Sequence, residues 1–199
     1  MLLRLITIHL LLLTMAFGAS MEGNIKKAYF AGGCFWGVEY HFEKLDGVKS
    51  VVSGFMGGHI ENPTYMDVIK QISGHLEVVE VTYDSTKISY ETLSKLFFEI
   101  HDPTQINGQG PDIGTQYLSA IFTSDKKEKE IIYKLVEILQ QKGLHIATKI
   151  HTLAPFYKAE DYHQDYYEKT GKKPYCHRDR KSTRLNSSHV KRSRMPSSA

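Results

Sequence analysis

A cysteine in a glycine turn is the residue of this chain most suited to chemistry. Residues 29–37 read YFAGGCFWG, so Cys34 lies between a short apolar run and an amphipathic segment. The pattern predicts a strand, a glycine turn and a helix whose first turn carries the cysteine. Backbone N–H groups and the helix dipole favour negative charge there, so we expect the thiol to ionise readily and act as a nucleophile. The alternative is a small buried residue without reactivity.

A glutamate at the start of a predicted strand could supply a proton. Residues 76–83 alternate so that Glu77 shares one face with Val79, Val81 and Tyr83. A carboxyl group at the end of this apolar row loses hydration, which raises its pKa and keeps it protonated near neutral pH. The alternative, which the strand pattern leaves open, is that Glu77 lies in water with an ordinary pKa.

Histidines suggest two other classes of site. The candidate bases for a cysteine hydrolase are His41, His59, His75 and His163. The candidate groups for a metal-binding or non-catalytic module are Cys176, His177, Asp161 and His163. The spacing favours neither class, because His41 is seven residues from Cys34 on one predicted helix and no zinc-type Cys-x-x-Cys or paired-histidine spacing is present.

A sheet with helices packed on it must position the cysteine and the glutamate. Periodicity predicts strands at residues 26–30, 48–55, 76–83, 115–123 and 147–153, and helices at 34–45, 90–101 and 125–141. This alternation predicts an α/β (α+β) two-layer sandwich, with a ferredoxin-like core of a mixed sheet and a loop-rich C-terminal region from Ala154. The long loops 56–73 and 103–114 are rich in Gly, Asn and Pro, so we expect them to carry parts of the site.

The N-terminal end differs from the single domain predicted over residues 21–177. Residues 1–20 combine Arg4, an apolar run over 5–17 and small residues at 18–20, which predicts a signal peptide. Cleavage would release a periplasmic or secreted protein with no stable membrane insertion. Translation from Met21 would instead give a cytoplasmic protein.

The C-terminal end carries the positive charge of the chain. Residues 178–199 hold seven basic residues and one acidic residue, whereas residues 21–177 contain no arginine. The whole chain has a net charge of +3, so the part before this tail is net negative. Many serines and little apolar content predict a disordered tail that is not native to the domain, and we infer no nucleic-acid binding from it. A genuine basic arm is the alternative.

Six ordered blocks carry a resemblance to a known family. They are GCFWG at 33–37, GG at 57–58, NPTY at 62–65, GHLEVV at 74–79, DIGTQY at 112–117 and AEDYHQDY at 159–166. Together they resemble peptide methionine sulfoxide reductase of the A type, over residues 26–177. The resemblance implies an oxidoreductase that reduces the S epimer of methionine sulfoxide, protein-bound and free, and thereby repairs oxidised proteins.

The resemblance implies a role for each matching residue. Cys34 attacks the sulfoxide sulfur and is left as a sulfenic acid. Glu77 protonates the sulfoxide oxygen, Tyr65 and Tyr117 donate hydrogen bonds to it, and Asp112 orders the site through a hydrogen-bond network.

Substrate contacts and departures from the family pattern follow from the same blocks. Phe35 and Trp36 match residues that hold the S-methyl group of the substrate. Phe55, Met56 and Ile113 replace residues that are common in the family, and none of them matches the acid or the nucleophile. Substrate preference is therefore more affected than catalysis.

Turnover requires a second thiol, and the other cysteine of the chain is Cys176. The resemblance implies that Cys176 resolves the sulfenic acid into a Cys34–Cys176 disulfide, which a thioredoxin-like dithiol then reduces. A static structural disulfide is the alternative. We expect a monomer that needs no metal, flavin or nucleotide cofactor.

Overall fold

A six-stranded mixed sheet forms the centre of the computed structural model, which describes residues 24–175, 177 and 183–185. The strands are β1 Ile25–Gly32, β2 Val48–Met56, β3 Leu76–Asp84, β4 Gly108–Gln109, β5 Asp112–Ile113, β6 Ser119–Phe122, β7 Lys149–His151 and β8 Tyr157–Lys158. The helices are α1 Phe35–Phe42, α2 Tyr65–Ile69, α3 Tyr90–Ile100, α4 Lys126–Gln141 and α5 Tyr166–Thr170, with 3-10 turns at Thr115–Tyr117 and Asp161–His163. The predicted signal peptide and Cys176 lie outside the described residues, as does most of the tail.

The strand order confirms the predicted fold class. The sheet runs β7-β6-β1-β3-β2-β8, and its pairs are antiparallel except for the parallel pair of β6 and β7. Its four inner strands, β6-β1-β3-β2, are connected in the β-α-β-β-α-β sequence of a ferredoxin-like core. The hairpin of β4 and β5 forms a separate small sheet in the 103–114 loop.

Helices α1, α3 and α4 bury one face of the sheet. The predicted stripe of α1 lies in this core, with Phe35, Val38 and Phe42 at most 1% exposed and Leu45 3% exposed. Phe30 of β1 stacks on Phe42 at 5.0 Å between ring centroids, which joins helix and strand. Since this core fills the space beneath α1, the helix cannot move without exposing large apolar side chains.

The opposite face is covered by chain that follows β7. Met56, Val78 and Phe122 are buried there, and Ala154 and Phe156 pack against them. Strands β2 and β3 are therefore enclosed on both sides and lose the alternation of a half-exposed sheet. The loop-rich C-terminal region thus completes the fold of the domain.

Pairing along the sheet shortens two predicted strands. The strand predicted at 115–123 is wrong at its start, because Thr115–Tyr117 form a 3-10 turn and β6 begins at Ser119. Ser119 is opposite Gly32, where β1 ends, so earlier residues have no partner strand. Likewise β7 keeps three residues of the predicted 147–153, because β6 pairs with it only over Ala120–Phe122.

The helices also differ from the prediction in two segments. The helix predicted at 34–45 ends at Phe42, after which Gly47 takes a φ of 97° that suits glycine. The predicted 56–73 loop contains α2, which Thr64 and Asp67 begin with a reciprocal capping box. Neither difference moves the residues that resemble a catalytic site.

Three residues of the predicted tail lie against the domain. Leu185 is 8% exposed, and its N–H donates a hydrogen bond to Glu99 Oε1 at 2.6 Å. Lys142 Nζ donates to the carbonyl oxygen of Arg184 at 2.6 Å. Disorder and foreign origin stay predictions for this segment. Within the ranges described above, no helix has both the length and the apolar composition to cross a membrane.

Candidate active site

The strand, glycine turn and helix predicted around Cys34 are confirmed. Cys34 is the N-cap residue of α1 and is 7% exposed. Gly33 has a φ of 96°, and a Cβ at this position would overlap the side chain of Gln109. Gln109 in turn exchanges hydrogen bonds with the backbone of Asp102, at 2.9 and 3.1 Å. The glycine turn is thus held tightly against the 103–114 loop.

Glu77 lies beside the cysteine turn and out of water. It is 2% exposed, and its Oε2 accepts a hydrogen bond from the backbone N–H of Phe35 at 3.0 Å. The pKa of Glu77 is raised to about 8, mainly by burial. The hydrogen bond from Phe35 N–H lowers the pKa, and the charge of Asp112 contributes to its rise. Phe55 is opposite Glu77 in the β2–β3 register and offers no hydroxyl. The predicted desolvation is confirmed, and the carboxyl is protonated at neutral pH.

Two phenols share the surroundings of Cys34 and Glu77. Burial raises the pKa of Tyr65 to about 12, and the charges of Glu77 and Cys34 add to this rise. Burial also raises the pKa of Tyr117, with further contributions from Glu77, Tyr65 and Cys34. Both phenols therefore keep their protons and can donate hydrogen bonds. The structure thus brings together four predicted groups: Glu77 on β3, Cys34 at the start of α1, Tyr65 on α2 and Tyr117 on a 3-10 turn.

Asp112 lies at the rim of the site, on β5. Its two carboxylate oxygens accept hydrogen bonds from the hydroxyl of Tyr175, at 2.9 and 3.0 Å. It acts on Glu77 through its charge, which raises the pKa of that carboxyl. Asp112 therefore interacts both with Glu77 and with the chain just before Cys176.

The two aromatic residues after Cys34 have different surroundings. Phe35 is 1% exposed and packs at 5.8 Å from the ring of Phe55. Trp36 is partly exposed and stacks on Tyr166 at 3.8 Å, with 6° between the ring planes. The accessible aromatic surface beside the thiol therefore comes from Trp36 rather than Phe35.

His163, predicted as a candidate base or metal ligand, has a place in the site that neither prediction gave. It is 1% exposed, and its Nδ1 accepts a hydrogen bond from the indole N–H of Trp36 at 3.2 Å. Its ring lies 5.1 Å from that of Phe35 and 4.4 Å from that of Tyr65. Burial lowers the pKa of His163, so the ring is neutral and fixes the aromatic wall. The dense aromatic block at 159–166 is the signal that could have indicated it.

Two of the other histidines predicted as candidate bases, His75 and His41, bond to backbone groups. His75 accepts from Gly58 N–H through Nδ1 at 3.1 Å and donates from Nε2 to the carbonyl of Ile60 at 2.8 Å. It therefore holds the Gly57-Gly58 loop. His41 contacts the carbonyl oxygen of His177 at 3.4 Å.

The metal alternative gains no support from its predicted residues. Asp161 forms an ion pair with Lys158 at 2.8 Å, and Cys176 lies outside the described residues. Within residues 24–175, 177 and 183–185, the ligand atoms of Glu39, Glu43 and Asp165 do lie within 4.8 Å of one another. Burial raises the pKa of Glu39 to about 7 and that of Glu43 to about 8. Glu39 Oε2 accepts a hydrogen bond from the N–H of Asp165 at 3.0 Å, which joins α1 to the residue before α5.

Comparison with known proteins decides the family. A family model described as peptide methionine sulfoxide reductase matches residues 26–195. The chain belongs to this family. An MsrA of Nautilia profundicola is 49% identical over 150 residues, which cover 75% of this chain and 87% of that protein. The chain is accordingly an oxidoreductase of the methionine sulfoxide reductase A type.

Solved structures agree with this assignment. The reduced form of Mxr1 from Saccharomyces cerevisiae has a TM-score of 0.75 and 34% identity, covering 80% of this chain and 94% of that one. Mxr1 in complex with Trx2 has a TM-score of 0.55 and 26% identity, covering 80% and 93%. Both share the reductase fold described above.

Proposed function

We propose that this reductase acts on the S epimer of methionine sulfoxide in proteins and as the free amino acid, with Cys34 as nucleophile and Glu77 as acid. The observation that carries the proposal is Glu77, buried beside a cysteine at the N-terminus of α1, where burial raises the pKa of its carboxyl to about 8. A thiolate and a protonated carboxyl are the pair that sulfoxide reduction requires, since sulfur is attacked while its oxygen gains a proton.

The first step reduces the sulfoxide and oxidises Cys34. The Cys34 sulfur attacks the sulfoxide sulfur, and Glu77 donates its proton to the oxygen. Tyr65 and Tyr117 donate hydrogen bonds to this oxygen as its negative charge grows. A bond between the two sulfur atoms forms as the S–O bond of the substrate breaks and the protonated oxygen leaves as water. Water then bonds to the Cys34 sulfur and loses a proton as the S–S bond breaks, so methionine is released, reduced by two electrons, and Cys34 is left as a sulfenic acid.

The substrate side chain would lie against aromatic surface. Trp36, held by its stack on Tyr166 and its hydrogen bond to His163, presents a flat apolar wall for the S-methyl group. Its rigid placement would favour one orientation of the sulfoxide oxygen, towards Glu77 and the phenols. This supports a preference for one epimer.

The second step restores the enzyme. Cys176 attacks the sulfur of the sulfenic acid, the oxygen leaves as water, and a Cys34–Cys176 disulfide forms. A thioredoxin-like dithiol then reduces the disulfide, so no prosthetic group is needed. The Mxr1–Trx2 complex supports a partner of this kind.

A single-turnover assay on the full chain tests this function. Fully reduced enzyme is mixed with one equivalent of a peptide that carries either the S or the R sulfoxide, and methionine and remaining thiols are counted. We expect methionine and the loss of two thiols with the S epimer only, and none in Cys34→Ser. A chain that forms no methionine from either epimer would contradict the proposal.

A further inference from the structure

His177 lies buried behind the cysteine turn. Its side chain is 2% exposed and occupies the space that Gly37, three residues after Cys34, leaves without a side chain. A Cβ at Gly37 would overlap the His177 ring, and a Cβ at Gly33 would lie 3.7 Å from its Cε1. The ring is therefore in contact with the same turn that positions the nucleophile.

Hydrogen bonds hold this residue at both its side chain and its backbone. Nε2 lies 2.7 Å from the carbonyl oxygen of Gly32, and since a carbonyl only accepts, Nε2 carries the proton. The carbonyl oxygen of His177 in turn accepts from Nε2 of His41 at 3.4 Å. A buried residue with these partners is a fixed point in the C-terminal chain.

The ring can hold this position without a buried charge. Burial lowers the pKa of His177 to about 3; the bond to Gly32 opposes this shift, while His101 and His41 add to it. The imidazole is therefore neutral across the physiological range. It thus avoids the free-energy cost of a buried charge that no partner compensates. Its bond to Gly32 is an ordinary neutral hydrogen bond.

The two sequence neighbours of Cys176 bond to two different elements of the site. Tyr175 donates to Asp112 on the β4–β5 hairpin, and His177 donates to Gly32 at the end of β1. Successive Cα atoms are about 3.8 Å apart across a trans peptide, so fixing His177 limits the distance over which the preceding thiol must search. Such restriction is the usual source of rate in intramolecular reactions.

We propose that His177 is a positioning residue for disulfide formation, which holds the C-terminal chain on the Cys34 turn so that Cys176 meets the sulfenic acid. This assignment rests on the function proposed above. In the step concerned, the S–S bond forms as the S–O bond of Cys34 breaks. The Cys176 thiol supplies a proton, the oxygen leaves as water, and the Cys176 sulfur is oxidised while the Cys34 sulfur is reduced.

The test separates the two chemical steps in His177→Ala. The full chain is reduced, mixed with one equivalent of the S sulfoxide peptide and quenched at intervals. Methionine reports the first step, and thiol loss with dimedone trapping of the sulfenic acid reports the second. We expect methionine formation within about twofold of the parent and disulfide formation slowed by about tenfold or more, so that trapped Cys34 accumulates.

Two further variants show whether the effect belongs to the hydrogen bond. His177→Gln retains an N–H that can reach Gly32, so it should recover part of the closing rate. His145→Ala, at an exposed histidine, should match the parent in both steps. Disulfide formation at the parent rate in His177→Ala would overturn the assignment, as would an equal slowing of methionine formation. A parent that forms no methionine would instead defeat the proposed function itself.

Discussion

The two halves of this site are built by different means. The sheet site, meaning Cys34 and Glu77 with the ends of β1, α1 and β3, is held by ladder hydrogen bonds and a close-packed core. The C-terminal segment, residues 154–175 and 177, has backbone hydrogen bonds to the sheet through the short strand β8 and from Ala159 to Ser53. Beyond Ala159, side chains that bond to distant backbone hold it in place. Gln164, for example, bonds the N–H and carbonyl of Ser53 at 2.9 and 3.0 Å.

This difference matches the different demands of the two chemical steps proposed above. Activation of the thiol and protonation of the oxygen require fixed groups in a dry environment, which regular elements provide. Later reduction of the proposed disulfide by a partner would require the C-terminal segment to move away from the sheet site. Contacts made by a few side chains can be broken at lower cost than a sheet ladder.

The largest expected effect comes from Glu77→Gln in the sheet site. Its amide cannot donate a proton, so we expect kcat/KM to fall by about 10²-fold or more. Since Glu77 must be protonated to act and its pKa is about 8, parent activity should fall as pH rises through 8. The variant should lose this alkaline limb in a pH–rate profile of single turnover.

Stability provides an independent check on the same substitution. The pKa of Glu77 is raised from 4.5 to about 8 on folding, so the native state binds more protons between these values. The free energy of unfolding should therefore decrease as pH rises through this window in the parent, and less steeply in Glu77→Gln. Glu80→Gln, on the same strand and bonded to Lys27, is the matched control. An unchanged pH–rate profile in Glu77→Gln would argue against the acid role.

An intermediate effect is expected from Tyr117→Phe, which removes one hydrogen-bond donor from the sheet site. We expect kcat to fall by about tenfold, because a single donor to a developing oxyanion contributes less than the proton itself. The raised pKa of Tyr117 keeps it a donor at all pH values at which Glu77 is protonated, so the alkaline limb should stay in place. Single-turnover methionine formation gives both quantities.

An exposed tyrosine supplies the control for this substitution. Tyr133→Phe on α4, at a residue 59% exposed, should leave the rate unchanged. If Tyr117→Phe matched this control, the phenol would be part of the packing and not of the chemistry.

The smallest effect on chemistry is expected from Gln164→Ala in the C-terminal segment. Gln164 makes three hydrogen bonds, two to Ser53 and one to the carbonyl of Ala159 at 3.0 Å. Their loss should lower the free energy of unfolding by about 1–3 kcal/mol and raise hydrogen exchange at Ala159. Methionine formation in the first turnover should remain within about twofold of the parent.

This substitution is the sharpest test of the contrast between the two regions. Gln140→Ala, on the exposed side of α4, is the control for stability and exchange. If Gln164→Ala slowed methionine formation as strongly as it slowed disulfide formation, the sheet site and the C-terminal segment would behave as one unit. The division between a rigid and a releasable region would then be wrong.

Much of the sheet site was accessible from the sequence because its signals are local. The glycine turn before Cys34, the period of α1 and the alternation of β3 each depend on residues close together in the chain. They predicted Cys34 at a helix N-terminus and a desolvated Glu77, and the structure places both residues in this way. The blocks that resemble the reductase family then led to Tyr65 and Tyr117, which no periodicity would have indicated.

Tertiary structure decided what depends on contacts between distant residues. Strand pairing set the true start of β6, because β1 ends at Gly32. Packing between residues 127 positions apart placed His163 against Trp36, and packing across 145 positions placed His177 on Gly32. A local pattern cannot encode such pairs, since their energy comes from burial and hydrogen bonds that exist only once the chain has folded. The sequence by itself determined the reactive groups, and the fold decided which neighbours hold them in place.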